Sequence, residues 1–288
     1  AWLGKLDRLG VTLRNRHRWT GWNDDGALTF ELGGGETLAF QASATVLALG
    51  GATWPRLGST GAWKSALAER GVLLAPFEPS NCGFEVSWSE RLLSQHEGKP
   101  VKNTDFRFGA HHSRAEAVIT KRGIEGGGIY ALSAPLRDAI AANGPQTLLL
   151  DLLPHVSEDD ARSRLAKAKS KDSLSNRLRK ALGLSDVQRA LFFEAAGPGF
   201  AGDVVAMAKA VPIQLEKPHG LERAISSDGG VAWDAVDSDL QLTAMPGVYA
   251  AGEMLDWEAP TGGYLLQACM ATGQWVGKAI AAECNKTS

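Results

Sequence analysis

The sequence has no C-x-x-C pair, and its three cysteines, Cys82, Cys269 and Cys284, are odd in number and widely spaced. This argues against a disulfide framework or a zinc site and makes a reducing cytoplasm the expected setting. Also missing is any apolar run near the ~18 residues that a spanning helix needs, and no basic N-terminal region leads into an apolar stretch. A soluble protein without membrane partners is expected. There is no excess charge of either sign: Lys+Arg 30 against Asp+Glu 32 gives a net charge of −2, so no global field draws the chain to nucleic acid. His111 and His112 are adjacent and point apart on a strand, which reads as a surface pair and not as metal ligands.

What is present is a core-forming composition. With 44% hydrophobic and 22% charged residues, 288 residues exclude disorder and can bury one large core or two ordinary ones. Glycines cluster at residues 33–35, 50–51, 126–128, 229–230 and 262–263, where the backbone must turn sharply or approach something closely. Residues 2–9 have helical apolar spacing, capped by Gly10. Residues 11–22, 27–32 and 36–41 read as a three-stranded antiparallel meander, with Arg14, Arg16 and Arg18 on a solvated strand face. Residues 45–49 form a short apolar run ending in Gly50-Gly51, read as a strand buried on both faces. A helix is expected over residues 60–70. From Pro76 the character changes to short alternating stretches and then, after residue 126, to amphipathic helical segments. The expected division is 1–75 and 224–288 as one discontinuous domain, with 76–223 inserted, β first and helical afterwards.

The strongest chemical signal is Pro246-Gly247-Val248-Tyr249-Ala250-Ala251-Gly252-Glu253 followed by Pro260-Thr261-Gly262-Gly263-Tyr264. A carboxylate at the carboxyl end of a buried strand suits a polyol. Two glycines opening a long helix bring backbone N–H groups and the positive helix end near a ligand that carries or develops negative charge. A flavin has both features, a ribityl chain and an N1–C2=O edge that becomes anionic on reduction. The plain alternative is a strand, a turn and a helix with a Gly-rich loop. The final helix, over residues 264–282, carries Ala268, Ala271, Gly273 and Gly277, read as small residues for close packing. A G-x-G-x-x-G occurs at Gly197-Pro198-Gly199-Phe200-Ala201-Gly202, but a helix precedes it where a dinucleotide site needs a strand, so a loop between helices is the reading.

The strings "ALGGATWPRLGSTGAW", "DLLP", "ISSDGGV" and "AGEMLDWEAPTGGYLLQACMATG" resemble the family of FAD-dependent oxidoreductases that includes BaiN and the aminoacetone oxidases, over nearly the whole chain. The resemblance implies an α/β, overall α+β, protein with a glutathione-reductase-type FAD-binding fold interrupted by an insert domain. Against that pattern the N-terminus lacks the strand, G-x-G-x-x-G turn and helix for the pyrophosphate, so the FAD domain is expected to be N-terminally incomplete. The implied flavin residues are Gly50, Gly51, Thr53, Trp54, Pro55, Gly230, Val231, Gly252, Glu253, Asp256, Thr261, Gly262, Gly263 and Tyr264. Trp54, Trp257 and Tyr264 are candidates to cover a flat substrate, and Tyr264 and Glu258 are the candidate acid–base residues. Two functions are then open. One is hydride transfer between flavin N5 and a small organic substrate, as NAD(P)H-fed double-bond reduction or amine oxidation. The other is a remnant that folds without FAD and serves as a non-catalytic module.

Overall fold

The computed structural model describes residues 2–287. Helix α1 (Trp2–Arg8) precedes the meander β1 (His17–Trp22), β2 (Leu28–Leu32) and β3 (Thr37–Phe40), which pair antiparallel in that order. Residues 11–15, expected in the first strand, are exposed coil, and Arg16 sits at φ 60°, which breaks extended backbone just before β1. Strand β4 (Thr45–Leu47) is shorter than residues 45–49 and is not buried on both faces: Val46 is 45% exposed. Among the described residues its one ladder neighbour is a parallel strand from the far end of the chain, which leaves one edge unpaired. The helix expected over 60–70 is α2 (Trp63–Ala68), anchored by the buried Trp63 and Leu67.

Next come β5 (Leu74–Ser80), β6 (Phe84–Glu85), α3 (Glu90–His96), β7 (Pro100–Val101), β8 (Asp105–Phe108), β9 (His111–Ser113), β10 (Ala117–Thr120) and β11 (Gly123–Glu125). They are followed by α4 (Gly127–Tyr130), α5 (Ser133–Asn143), β12 (Gln146–Asp151), α6 (Glu158–Ala166), α7 (Leu174–Leu182), α8 (Asp186–Ala196), α9 (Val204–Lys209) and β13 (Val211–Leu215). The segment is therefore not simply β first and helical afterwards. The late strands β12 and β13 complete a four-stranded sheet in the order β13-β12-β8-β9, beside a second one, β6-β11-β10-β7. Side-chain caps start the helices: Ser89, Ser157, Ser173 and Ser185 each accept from the third backbone N–H beyond them, and Ser185 with Gln188 closes a capping box. Asp151, the acid of the "DLLP" string, is fully buried and salt-bridged to Arg107 Nη2 at 2.6 Å and Lys209 Nζ at 2.7 Å, which ties β12 to β8 and α9.

The chain then returns along β14 (Ser226–Val231), which pairs antiparallel with β5, and β15 (Val248–Ala250), which pairs parallel with β4. It ends in α10 (Tyr264–Thr287). Buried apolar residues fall into two clusters, one drawn from residues 82–224 and one from residues 47–72 together with 231–276. Of the β5–β14 ribbon, Leu74, Phe77 and Val231 lie in or against the second. Along α10, Cys269, Thr272, Val276 and Ile280 recur at helical spacing on the side toward the second cluster. The small residues lie elsewhere. Ala271, Gly273 and Gly277 are exposed, and a side chain at Gly273 or Gly277 would meet nothing within 4 Å, so they do not serve close packing here.

Candidate cofactor site

Pairing of β4 with β15 in parallel register, Leu47 opposite Ala250, delivers the two glycine motifs side by side at the carboxyl ends of the strands. Gly51 cannot carry a side chain there: a Cβ would stand 1.9 Å from Ser227 Oγ and 3.0 Å from Glu253 Cδ. Glu253 Oε1 accepts from the Ser227 N–H at 3.2 Å, and Ser227 Oγ accepts from the Ala52 N–H at 3.1 Å. Three segments distant in sequence thus lock into one cradle. Gly252 N–H donates to Thr272 Oγ1 at 3.0 Å, which fixes the strand end to α10. Glu253 Oε2 has no protein partner among the described residues.

The other expected residues divide. Gly50 accepts from Trp63 Nε1 at 3.0 Å, and Thr53 is buried. Trp54 takes a left-handed φ of 56°, sparsely populated for a non-glycine residue, just before the turn Pro55–Leu57. Thr261, Gly262, Gly263 and Tyr264 are exposed at the start of α10; Gly262 and Gly263 hold φ 107° and 92°, and open space surrounds the Cβ position of Gly263. Gly230 and Val231 are closely packed. A Cβ on Gly230 would meet Met254 O at 2.3 Å, and the fully buried Val231 side chain sits in the second cluster, with its carbonyl accepting from Asp256 N–H at 2.8 Å. The donor set fits a flavin: a free carboxylate oxygen for hydroxyls, and glycine backbone open to a ligand at a helix start.

Glu258 is held by Arg137, whose Nη1 and Nη2 donate to its two carboxylate oxygens at 3.0 and 3.2 Å. That fork occupies both carboxylate oxygens of Glu258. Arg137, only 7% exposed, also pairs with Glu78, Asp138 and Asp228 and donates to the Pro79 carbonyl. Burial opposes its charge, but Glu258 and Asp138 outweigh this and raise its pKa. Nearby, burial pushes the Cys82 thiol up to about 12, leaving it unreactive at neutral pH. Ser227 stands inside the "ISSDGGV" string, yet nothing in the string marks it as a partner of Glu253. Arg137 carries no sequence signal at all; its role comes from packing α5 against the β5–β14 ribbon.

Asp256 is also shifted upward, first by burial and then by the neighbouring Asp228, with the Gly229 N–H acting in the opposite direction. Its contribution to stability is complete below the ordinary value of 3.8 and is lost as pH rises through the raised one. Asp256→Asn is therefore expected to stabilise the fold at neutral pH, with the gain vanishing in acid. Urea unfolding of both proteins from about pH 3 to pH 7 checks this.

A family profile described as "HI0933-like protein Rossmann domain" matches residues 1–279. The 3-dehydro-bile acid delta(4,6)-reductase of Clostridium scindens is 26% identical over 262 residues, covering 84% of this chain and 63% of the relative, so the chain spans less than two thirds of that protein's length. Among solved structures, 3-ketosteroid delta1-dehydrogenase from Sterolibacterium denitrificans, in complex with 1,4-androstadiene-3,17-dione, is similar at 15% identity and TM-score 0.48, over 96% of this chain and 61% of the other. A 3-ketosteroid-delta4-(5alpha)-dehydrogenase from Rhodococcus jostii has TM-score 0.40 at the same identity, over 96% of this chain and 60% of the other.

Proposed function

Since the chain belongs to the HI0933-like Rossmann-domain family, we propose that it carries the flavin-holding and substrate-facing part of an FAD-dependent oxidoreductase. The reaction is hydride transfer between flavin N5 and a small alicyclic substrate, written as NAD(P)H-fed reduction of a conjugated double bond. The direction and substrate class draw support from the relative named a 3-dehydro-bile acid delta(4,6)-reductase. One observation carries the cofactor reading: Glu253, fixed through Oε1 by Ser227, keeps Oε2 free at the strand end.

When bound, FAD supplies a site that accepts and returns a hydride. This chain's residues do the holding. Glu253 would accept from ribityl hydroxyls, and the backbone of Gly262 and Gly263, at the positive end of a 24-residue helix, would face the pyrimidine edge where negative charge collects. Trp54, Trp257 and Tyr264 present aromatic surface that would cover a flat substrate and exclude water. With Glu258 committed to Arg137, the exposed Tyr264 hydroxyl is the remaining proton-bearing group of the two candidates.

Oxidation of a cationic amine is the second reading, favoured by the four carboxylates, Glu78, Asp138, Asp228 and Glu258, gathered round the single Arg137. The test is equilibrium titration of the purified chain with FAD, followed by anaerobic bleaching. We expect saturable flavin binding, bleaching by NADH or NADPH, and recovery of colour with a steroid-type dienone. Bleaching by an amine alone supports the second reading, and absence of any flavin binding supports a non-catalytic module.

A further inference from the structure

A second concave surface lies wholly within the residue 82–224 segment and shares no residue with the flavin cradle: a cavity of about 1030 Å³ between α3 and α8. Its size stands at the upper end of small-molecule sites, ~300–1,000 Å³. Its walls are built and tied together. Ser89, the cap of α3, donates through N–H and O–H to Glu194 of α8 at 2.6 and 2.7 Å, joining the two helices. At the far end, Gly197 and Gly199 take φ of 70° and 74°, and this turn folds the Phe200 ring edge-on against Phe192 at 5.5 Å. The G-x-G-x-x-G sequence thus shapes a cavity wall after a helix, and no strand precedes it. Leu92, Ala190, Phe193 and Phe200 give the cavity an apolar lining.

Its polar groups are unevenly used. The two carboxylates are committed: Glu194 to Ser89, and Asp186 to Arg189, which also donates to the Leu184 carbonyl. The donors are not. On α3, Arg91 and Gln95 lie one turn apart, and among the described residues neither side chain has a hydrogen-bond or ionic partner. One position beyond Gln95, His96 also lines the cavity. It is only 7% exposed, and its Nδ1 is buried without a hydrogen-bond partner. Leaving such a group buried and unpaired is costly unless a ligand or a shift of the ring satisfies it. Burial, followed by Lys99, lowers the pKa of His96, so the ring is neutral at neutral pH and adds no second cation.

We propose that this cavity is a binding site for an amphipathic monocarboxylate, with its apolar body on Phe193 and Phe200 and its carboxylate on Arg91 and Gln95. The site binds without chemistry and does not depend on the flavin reading. Pyrenebutyrate is a suitable probe, followed by its own fluorescence with the full chain. Saturable binding is expected, weakened by about 10- to 100-fold in Arg91→Glu, as loss of a charged hydrogen-bonding partner implies. Ala190→Trp, which fills the cavity, should abolish it, and the probe's methyl ester should bind as weakly as the acid binds to Arg91→Glu. The His96 imidazole nitrogens should shift in a nitrogen-correlated NMR spectrum as the probe saturates. Binding that Arg91→Glu and Ala190→Trp leave unchanged overturns the proposal, as does loss of binding in Glu253→Ala alone, which would move the probe to the flavin cradle. Absence of saturation in the parent protein overturns it outright.

Discussion

Arg137→Met should cost the folded protein about 3–5 kcal/mol, the loss typical when one partner of a buried ion pair is removed and the others remain. The guanidinium is 7% exposed, while Glu258 and Asp228, both largely shielded, have been brought to it from two other elements. A methionine of similar length fills the volume but leaves several carboxylates facing one another at the β5–β14 ribbon. Urea unfolding measures the loss. Its pH dependence separates lost charge from lost packing. Without Arg137, protonating one of the crowded carboxylates relieves their mutual repulsion in the folded state only, so the variant's deficit should shrink in acid, whereas a pure packing defect would not change. Arg137→Lys keeps the charge but cannot grip Glu258 with two parallel bonds, and it should recover only part of the stability. Arg137→Met combined with Glu258→Gln should be less damaging than the sum of the two single changes, because the pair acts as a unit.

Local chemistry explains what the sequence made legible. The meander is marked by the Asn23-Asp24-Asp25-Gly26 and residue 33–35 turns, and the glycine motifs sit at the ends of β4 and β15 where their composition places them. What the sequence hid was set by partners far along the chain. Apolar residues 45–49 imply burial on both faces, but among the described residues β4 pairs only with β15, and Val46 faces outward. Residues 146–151 and 211–215 sit among helices and become strands because β8 offers an edge to β12 and β12 offers one to β13. Gly230 and Val231 carry a glycine-rich signal that suits a cofactor as well as it suits a bulge, and the bulge that passes close to the Met254 carbonyl depends on pairing with β5, which the string itself does not show. The same limit applies to the acids. Glu253 and Glu258 are five residues apart and chemically alike, yet one meets a backbone N–H and keeps an oxygen free, while the other meets a guanidinium and keeps none.

That contrast sets the second large effect, on Glu253. Glu253→Ala should lower flavin affinity by about 10- to 100-fold, the equivalent of one or two charge-assisted hydrogen bonds at roughly 1.5–3 kcal/mol each, with part of the loss recovered by water. Quenching of flavin fluorescence on titration measures it. A structural effect is also expected, since Ser227 N–H loses its acceptor at 3.2 Å and the cradle around Gly51 loosens. Glu253→Gln separates the two contributions. Its amide oxygen can still accept from Ser227, so stability should stay near that of the parent, but it presents an NH₂ where the free carboxylate oxygen stood. Flavin affinity should then fall with little change in the unfolding midpoint. If Glu253→Gln binds flavin as the parent does, Glu253 serves the fold alone and the flavin reading loses the observation that carries it. If affinity and stability fall together in Glu253→Ala but neither falls in Glu253→Gln, the carboxylate acts by closing the strand ends over Gly51 and not by touching the ligand.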